Sequence, residues 1–174
     1  MAIFQLNHAV LFVSDLRRSV AFYTDVLDFR QVDMGSLKGA AFLRAADSTN
    51  DHDLGLFEAP GAGPSQAGRA TVGLYHLAWE VDTLDELQRV AMALAEADAL
   101  AGASDHGTTK SLYGRDPDGL EFEVVWVIPA DLLTDADREA SSRIHPLDLR
   151  REIERFGGRT RGGVGVSRPA AAPL

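Results

Sequence analysis

The chain has 174 residues, of which 45% are hydrophobic and 25% are charged, a composition typical of globular proteins. Its formal net charge of −9 argues against nucleic-acid phosphates and against an anionic membrane surface as partners. The sequence contains no cysteine, which excludes disulfides, thiolate metal ligands and cysteine nucleophiles. It also contains no basic segment leading into an apolar core at its start, and no run of about 18 apolar residues. We therefore expect a cytoplasmic protein that binds neither nucleic acid nor membrane.

The first half of the chain predicts a strand, a helix and three further strands. The opening strand ends at Ser14-Asp15, and either residue can cap the helix that follows. Apolar residues recur at helical spacing in that helix, at Leu16, Val20, Tyr23 and Leu27. Three strand-like segments come next, at Phe29–Val32, Gly39–Arg44 and Asp53–Glu58. The order is βαβββ over about residues 4–59, and the segment Gly61–Gly68, rich in Gly, Pro and Ala, predicts a linker.

An internal repeat predicts the same order in the second half. Leu74–Leu84 aligns with Leu6–Leu16, so that His76 matches His8 and further leucines and a valine recur at matching positions. A polar break and a second helical pattern follow, as in the first half. Strands are predicted at Ser111–Arg115 and Glu121–Ile128, whereas the region around Leu100 is too rich in alanine to assign. The order βαβββ over about residues 72–128 therefore predicts one α+β domain of two modules, residues 1–129.

The composition changes beyond Pro129. Helical patterns at Leu133–Arg143 and Pro146–Phe156 predict a helical extension over residues 130–156. Residues 157–174 consist mainly of Gly, Arg, Pro and Ala without periodicity, which predicts a disordered tail.

Two histidines in matching strands are candidate metal ligands. Because alternate side chains of a strand share a face, His8 lies on the same side as Val10 and Phe12, away from the apolar residues that pack on the helix. The repeat gives His76 the equivalent position in the second module. A two-fold arrangement of the modules would bring both imidazoles into one shared pocket.

The third candidate ligand is Glu123. It follows the strong turn signal Pro117-Asp118-Gly119 and shares a face with Glu121 in a strand that is otherwise apolar. A carboxylate is costly to bury in such a strand unless it is paired or bound to a metal. Glu121 is nearer to the turn and is the alternative ligand.

These features resemble the vicinal-oxygen-chelate superfamily, which includes glyoxalases, bleomycin-resistance proteins and type I extradiol dioxygenases. The resemblance rests on the doubled βαβββ module, on Leu6-Asn7-His8, and on Asp116-Pro117-Asp118-Gly119 followed by Glu123. It covers about residues 4–128 and is closest to the catalytic module pair of extradiol catechol dioxygenases. It implies that the two modules form an incomplete barrel around a metal site.

The resemblance also implies roles for single residues. The implied metal ligands are His8, His76 and Glu123. Two histidines and one carboxylate with vacant positions are typical of Fe(II) sites that react with O₂, and Mn(II) is the alternative metal. Three further residues match active-site positions of the family. His52 resembles its acid–base histidine, His106 a histidine that hydrogen-bonds the ring substituents, and Tyr113 the tyrosine that contacts the substrate hydroxyl.

The implied function is Fe(II)-dependent extradiol cleavage of a catechol-like aromatic diol by O₂. A metal-dependent glyoxalase- or epimerase-like enzyme is the first alternative, but such relatives add a fourth ligand from the last strand of the first module, where Leu54–Phe57 is apolar. A metal-free drug-binding resistance protein is the second alternative, but such relatives lack the three ligands. Better-studied extradiol enzymes have a second module pair, so we expect pocket walls from the extension or from a neighbouring subunit of a homodimer or higher homo-oligomer.

Overall fold

The computed structural model describes residues 6–35, 37–63 and 72–163, which belong to two compact units. The first unit comprises Met1–Gln66 and Asp116–Leu120, and the second comprises Ala67–Arg115 and Glu121–Leu174. Each unit combines one β-sheet with α-helices, which confirms the α+β class. Most of the predicted linker Gly61–Gly68 lies outside the described residues. None of the helices within the described ranges combines the length and the apolar character needed to span a membrane.

The first unit has the predicted order. Its elements are β1 (Ala9–Val13), α1 (Leu16–Asp25), β2 (Arg30–Val32), β3 (Ala40–Arg44) and β4 (Leu54–Glu58). The strand order is β1-β4-β3-β2, with β1 and β4 parallel and the other pairs antiparallel. Leu11 and Val13 are buried whereas Phe12 is 76% exposed, so β1 turns one apolar face to the core. Asp15 caps α1, because its side chain accepts a hydrogen bond from the Arg18 N–H.

The second unit repeats this order. Its module consists of β5 (Leu77–Glu80), α2 (Leu84–Glu96), β6 (Leu100–Asp105), β7 (Thr109–Arg115) and β8 (Glu121–Val127). The alanine-rich region around Leu100 is thus a strand. Thr83 caps α2 by accepting a hydrogen bond from the Glu86 N–H. The core contains the buried side chains of α2 and β8, namely Leu84, Leu87, Val90, Leu94, Phe122, Val124 and Trp126.

The C-terminal extension differs from the two predicted helices Leu133–Arg143 and Pro146–Phe156. It contains α3 (Asp135–Ala140), β9 (His145–Pro146) and α4 (Leu149–Phe156). Thr134 and Asp137 form a capping box that starts α3. Pro146 lacks a backbone N–H and lies in an edge strand, where β9 pairs with β6 in the sheet order β5-β8-β7-β6-β9. Helix α4 begins after Asp148, whose side chain accepts a hydrogen bond from the Arg151 N–H.

Part of the predicted disordered tail packs on the second unit. Over Gly157–Gly163, the carbonyl oxygen of Gly158 accepts a hydrogen bond of 2.8 Å from the Asp85 N–H. A Cβ atom on Gly162 would overlap the carbonyl oxygen of Val127 and the Nε1 atom of the Trp126 ring, so only glycine fits this approach. Over these residues the structure therefore differs from the predicted disorder. Glycine has no Cβ atom, so this glycine-rich segment can pack closely although it lacks periodicity. Residues 164–174 lie outside the described residues.

Candidate metal and active site

His76 and Glu123 lie side by side in the second unit. Strands β5 and β8 are parallel neighbours in which Ala78 lies opposite Glu123, and His76 directly precedes β5. The Nε2 atom of His76 lies 3.2 Å from the Oε2 atom of Glu123. Along β8, Phe122 and Val124 are buried on one face, whereas Glu123 lies on the other, half-buried face. One imidazole and one carboxylate therefore meet at the edge of this sheet.

This pair fits a divalent metal by its chemistry. A neutral imidazole and a carboxylate are ligands for iron and manganese. The Nδ1 atom of His76 is buried and makes no hydrogen bond to the described residues, so a polar group is left unsatisfied beside Glu123. Within the described ranges, no group of three or more histidine, aspartate or glutamate side chains is close enough to hold a metal ion. The three-residue ligand set with His8 therefore stays a prediction.

Tyr113 lies beside this pair. The register of β7 and β8 places it opposite Glu123, and its ring centroid is 6.0 Å from that of His76. Its hydroxyl oxygen lies 2.9 Å from the Nε2 atom of His106. Burial, and then the negative charge of Glu123, raise the pKa of Tyr113 above its ordinary value of 10.0. The phenol is therefore neutral at physiological pH and can donate its proton in a hydrogen bond.

In the first unit, His8 and His52 contact each other. They precede β1 and β4, which are parallel neighbours, and their ring centroids are 4.5 Å apart. The ring of His52 also lies 5.0 Å from that of Phe42, and its Nδ1 atom is buried without a hydrogen-bond partner among the described residues. His8 is exposed, and its Nδ1 atom lies 2.7 Å from the side-chain oxygen of Asn7.

The structure thus brings the predicted residues together in two groups. The second unit joins four of them, His76, Glu123, Tyr113 and His106, and the first unit joins His8 and His52. Glu121 shares the half-buried face of β8 with Glu123, but its carboxylate lies 3.8 Å from the Arg115 guanidinium.

The turn between β7 and β8 makes contacts that the sequence does not signal. Asp118 accepts hydrogen bonds from the Ser14 N–H at 2.9 Å, from the Ser14 hydroxyl at 2.5 Å and from Arg18 at 2.8 Å. Burial opposes the ionisation of Asp118, but these contacts outweigh it and lower its pKa below 3.8. Asp116 accepts a hydrogen bond of 3.2 Å from the Tyr23 hydroxyl. The two acids therefore hold the turn, which itself belongs to the first unit, against Ser14 and α1.

The doubled module agrees with a known family. The model of the Glyoxalase/Bleomycin resistance protein/Dioxygenase superfamily matches residues 5–124. The chain belongs to this superfamily. The resemblance read from the sequence is thereby confirmed, and it accounts for both βαβββ modules but not for the extension.

Individual members of the superfamily show how far the similarity extends. The chain is 34% identical over 121 residues to biphenyl-2,3-diol 1,2-dioxygenase 3 of Rhodococcus globerulus. The aligned residues cover 69% of this chain and 62% of that protein. The chain thus spans less than two thirds of that relative's length. A glyoxylase/bleomycin resistance protein/dioxygenase domain from Frankia sp. EAN1pec superposes with a TM-score of 0.60 at 24% identity, covering 73% of this chain and 94% of that one. A fosfomycin resistance protein of Listeria monocytogenes, solved with Mn(II), superposes with a TM-score of 0.54 at 19% identity, covering 71% and 92%. These solved structures show the shared fold.

Proposed function

We propose that the chain is an Fe(II)-dependent extradiol dioxygenase that cleaves a catechol-like aromatic diol. The observation that supports this most is the meeting of four side chains in the second unit, His76, Glu123, Tyr113 and His106. The relative from Rhodococcus globerulus supports the substrate class, because it is a dioxygenase of an aromatic diol with adjacent hydroxyl groups.

The proposed metal ligands are His8, His76 and Glu123. Bound Fe(II) would supply Lewis acidity to the two diol oxygens and redox chemistry toward O₂. Mn(II) is the alternative metal, because the same nitrogen and oxygen donors suit it. A set of only three protein ligands leaves room for both oxygens of the diol and for O₂.

The remaining side chains orient the diol and move protons. Tyr113, as a neutral phenol, donates a hydrogen bond to a diol oxygen, and His106 orients the Tyr113 hydroxyl from 2.9 Å away. His52 is half-buried, and its Nδ1 atom has no hydrogen-bond partner among the described residues, so this imidazole suits acid–base help to the reacting oxygens. In the overall reaction, one ring carbon–carbon bond beside the hydroxyl pair breaks and both atoms of O₂ enter the product.

The glyoxalase- or epimerase-like alternative requires a fourth ligand from β4, and the residues of β4 argue against it. Leu54 and Leu56 are fully buried in the core. Glu58 is the acid at the end of this strand, and it accepts a hydrogen bond from the Leu16 N–H at the start of α1. That carboxylate therefore already has a structural partner.

The direct test is anaerobic loading with Fe(II), followed by O₂ uptake and absorbance of the ring-opened product. The substrates are catechol, 3-methylcatechol and 2,3-dihydroxybiphenyl, and we expect one O₂ consumed for each diol cleaved. Full iron loading without turnover of any diol, together with proton exchange on a glyoxalase-type substrate, would reject the dioxygenase in favour of the alternative.

A second test concerns the metal ligands. His76→Ala should abolish iron loading, measured with a colorimetric chelator after gel filtration, while the circular dichroism spectrum is retained. His145→Ala is the matched control, because His145 is an exposed histidine in β9. Equal iron loading of both variants would remove His76 from the ligand set. Light scattering on the same samples measures whether the chain is the predicted homo-oligomer.

A further inference from the structure

The C-terminal extension contacts both neighbours of His106. His106 lies in the turn between β6 and β7, flanked by Asp105 and Gly107. Asp105 pairs with His145 of β9. Gly107 has a φ of +73°, and a Cβ atom there would lie 2.6 Å from the backbone nitrogen of Ser141, just after α3. The turn that presents His106 is therefore packed directly against the backbone of the extension.

A buried lysine joins the same turn to α4. Lys110 is 1% exposed, and its Nζ atom lies 2.6 Å from Asp105 Oδ1 and 3.3 Å from the carbonyl oxygen of Gly107. Its third contact is Glu152 Oε2 of α4, at 3.2 Å. An ammonium group has three protons to donate and is costly to bury unless they are satisfied. Its two hydrogen-bond acceptors flank His106, and its ion-pair partner Glu152 belongs to the extension.

A second ion pair fixes α4 against α3. The two terminal nitrogens of Arg155 each donate to one carboxylate oxygen of Asp137, both at 2.7 Å. Burial opposes the ionisation of Asp137, but hydrogen bonds from Arg155 and Thr134 lower its pKa well below the ordinary 3.8. Arg155 also lies 4.0 Å from Glu152, so the two ion pairs form one network.

We infer that the extension positions His106 for the proposed reaction. Lys110, Glu152 and Arg155 act as positioning residues that set the distance between His106 Nε2 and the Tyr113 hydroxyl. Tyr113 is fixed by the pairing of β7 with β8, so a displaced turn would move the imidazole away from the phenol. The inference rests on the proposed function, in which these two side chains contact the diol.

The sharpest perturbation is Gly107→Ala. The added methyl group would overlap the backbone of α3, and alanine disfavours the positive φ of this position. Gly61→Ala is the matched control, because Gly61 has a φ of +78° with no heavy atom within 4 Å of the added Cβ. Glu152→Gln perturbs the network more gently, since the amide keeps the size of the side chain but loses its charge.

The first readout needs neither metal nor turnover. Nitrogen-15 NMR of the imidazole rings in the metal-free full chain reports the environment of His106. The His106 signal is assigned as the one that is missing in His106→Gln. We expect Gly107→Ala and Glu152→Gln to shift the His106 Nε2 resonance and Gly61→Ala to leave it unchanged. An unchanged resonance in the first two variants would overturn the inference even if the chain proves to be a dioxygenase. A shifted resonance supports the inference even if no diol is turned over.

The second readout is turnover of the Fe(II)-loaded chain. A misplacement of about 1 Å can cost on the order of 100-fold, so we expect kcat/KM to fall about 10- to 100-fold in Glu152→Gln. In the His106→Gln background the same substitution should have no further effect, because its influence passes through His106. An equal loss in both backgrounds would indicate a purely structural role for Glu152 and would overturn the inference.

Discussion

Replacing Arg155 with methionine should lower the free energy of unfolding by about 2–3 kcal/mol at pH 7. The guanidinium group donates two hydrogen bonds of 2.7 Å to Asp137, whose side chain is 7% exposed. Loss of one partner from a fully buried ion pair costs roughly 3–5 kcal/mol. The expected loss is smaller here for two reasons. Arg155 is itself 36% exposed, and Thr134 continues to donate to Asp137 after the substitution.

Guanidinium chloride unfolding at pH 7 measures this loss. Trp126 is a suitable fluorescent reporter of α4, because it is buried and its ring centroid lies 5.4 Å from that of Phe156. The same loss corresponds to about 4–12 °C in Tm for a chain of this length. Asp137→Asn and the double variant complete a double-mutant cycle with Arg155→Met, which isolates the energy of the contact.

The pH dependence tests the same contact independently. Folding lowers the pKa of Asp137, because hydrogen bonds from Arg155 and Thr134 outweigh burial. A carboxyl with a lowered pKa stabilises the folded state above its unfolded pKa of 3.8 and loses that contribution as the pH falls through the folded pKa. The difference between the wild type and Arg155→Met should therefore be largest near neutral pH and shrink below about pH 4. A loss of less than ~0.5 kcal/mol in the free energy of unfolding at pH 7 would refute the reasoning, and so would additive effects in the double-mutant cycle. Either result is the one expected of an ordinary exposed ion pair.

The remaining predictions concern two tyrosines and the metal. Tyr23→Phe should cost about 1 kcal/mol in the same unfolding experiment, because Asp116 loses the hydrogen bond from the phenol; no measurable cost would contradict that contact. Burial raises the pKa of Tyr23 and of Tyr113. Tyrosinate absorbance should therefore appear at higher pH in the folded chain than in the unfolded chain, and the stability contributed by these neutral phenols is lost as the pH rises through the folded pKa. Mn(II) at a hundredfold excess over its Kd should stabilise the wild type by about 2.7 kcal/mol and leave Glu123→Gln unchanged, as measured by thermal melting. Equal stabilisation of both would exclude Glu123 as a ligand.

The modules were predictable because their signals are local. Asp15 and Thr83 cap helices through their own side chains, and alternation along β1 and β8 separates buried from half-buried residues. Strand β6 lacks such a signal, since it contains two alanines and a glycine but no β-branched residue. It is a strand because β7 and β9 pair with it on either side. Pairing partners of this kind override local propensity and are not visible in a short segment.

The side chains that meet in the second unit could be named from the sequence, but not all of their contacts could. The alternation of β8 indicated Glu123, and the strand register then placed Tyr113 opposite it. The contact between His106 and Tyr113 depends on the conformation of a turn, which strand periodicity does not determine. Lys110 was missed because lysine is usually exposed. Its ion-pair partner Glu152 lies in a helix far along the chain, and no spacing rule connects the two.

The ion pairs in the extension have two separable effects. One is on the position of the turn that carries His106, and the other is on the free energy of unfolding. Apolar packing is non-directional, whereas the two hydrogen-bond acceptors of Lys110 must lie at hydrogen-bond distance. Together with the ion pair to Glu152 at 3.2 Å, they determine where the turn lies. Buried ion pairs contribute little net stability relative to apolar packing, and in some proteins they confer conformational specificity instead. Glu152→Gln should consequently change the His106 signal more, for each kcal/mol of stability lost, than Arg155→Met does. Glu152 contacts Lys110 directly, whereas Arg155 contacts Asp137 and Glu152. If both variants changed the imidazole signal and the stability in the same ratio, the extension would be acting as one packed unit. The charges in it would then have no separate role in placing the imidazole.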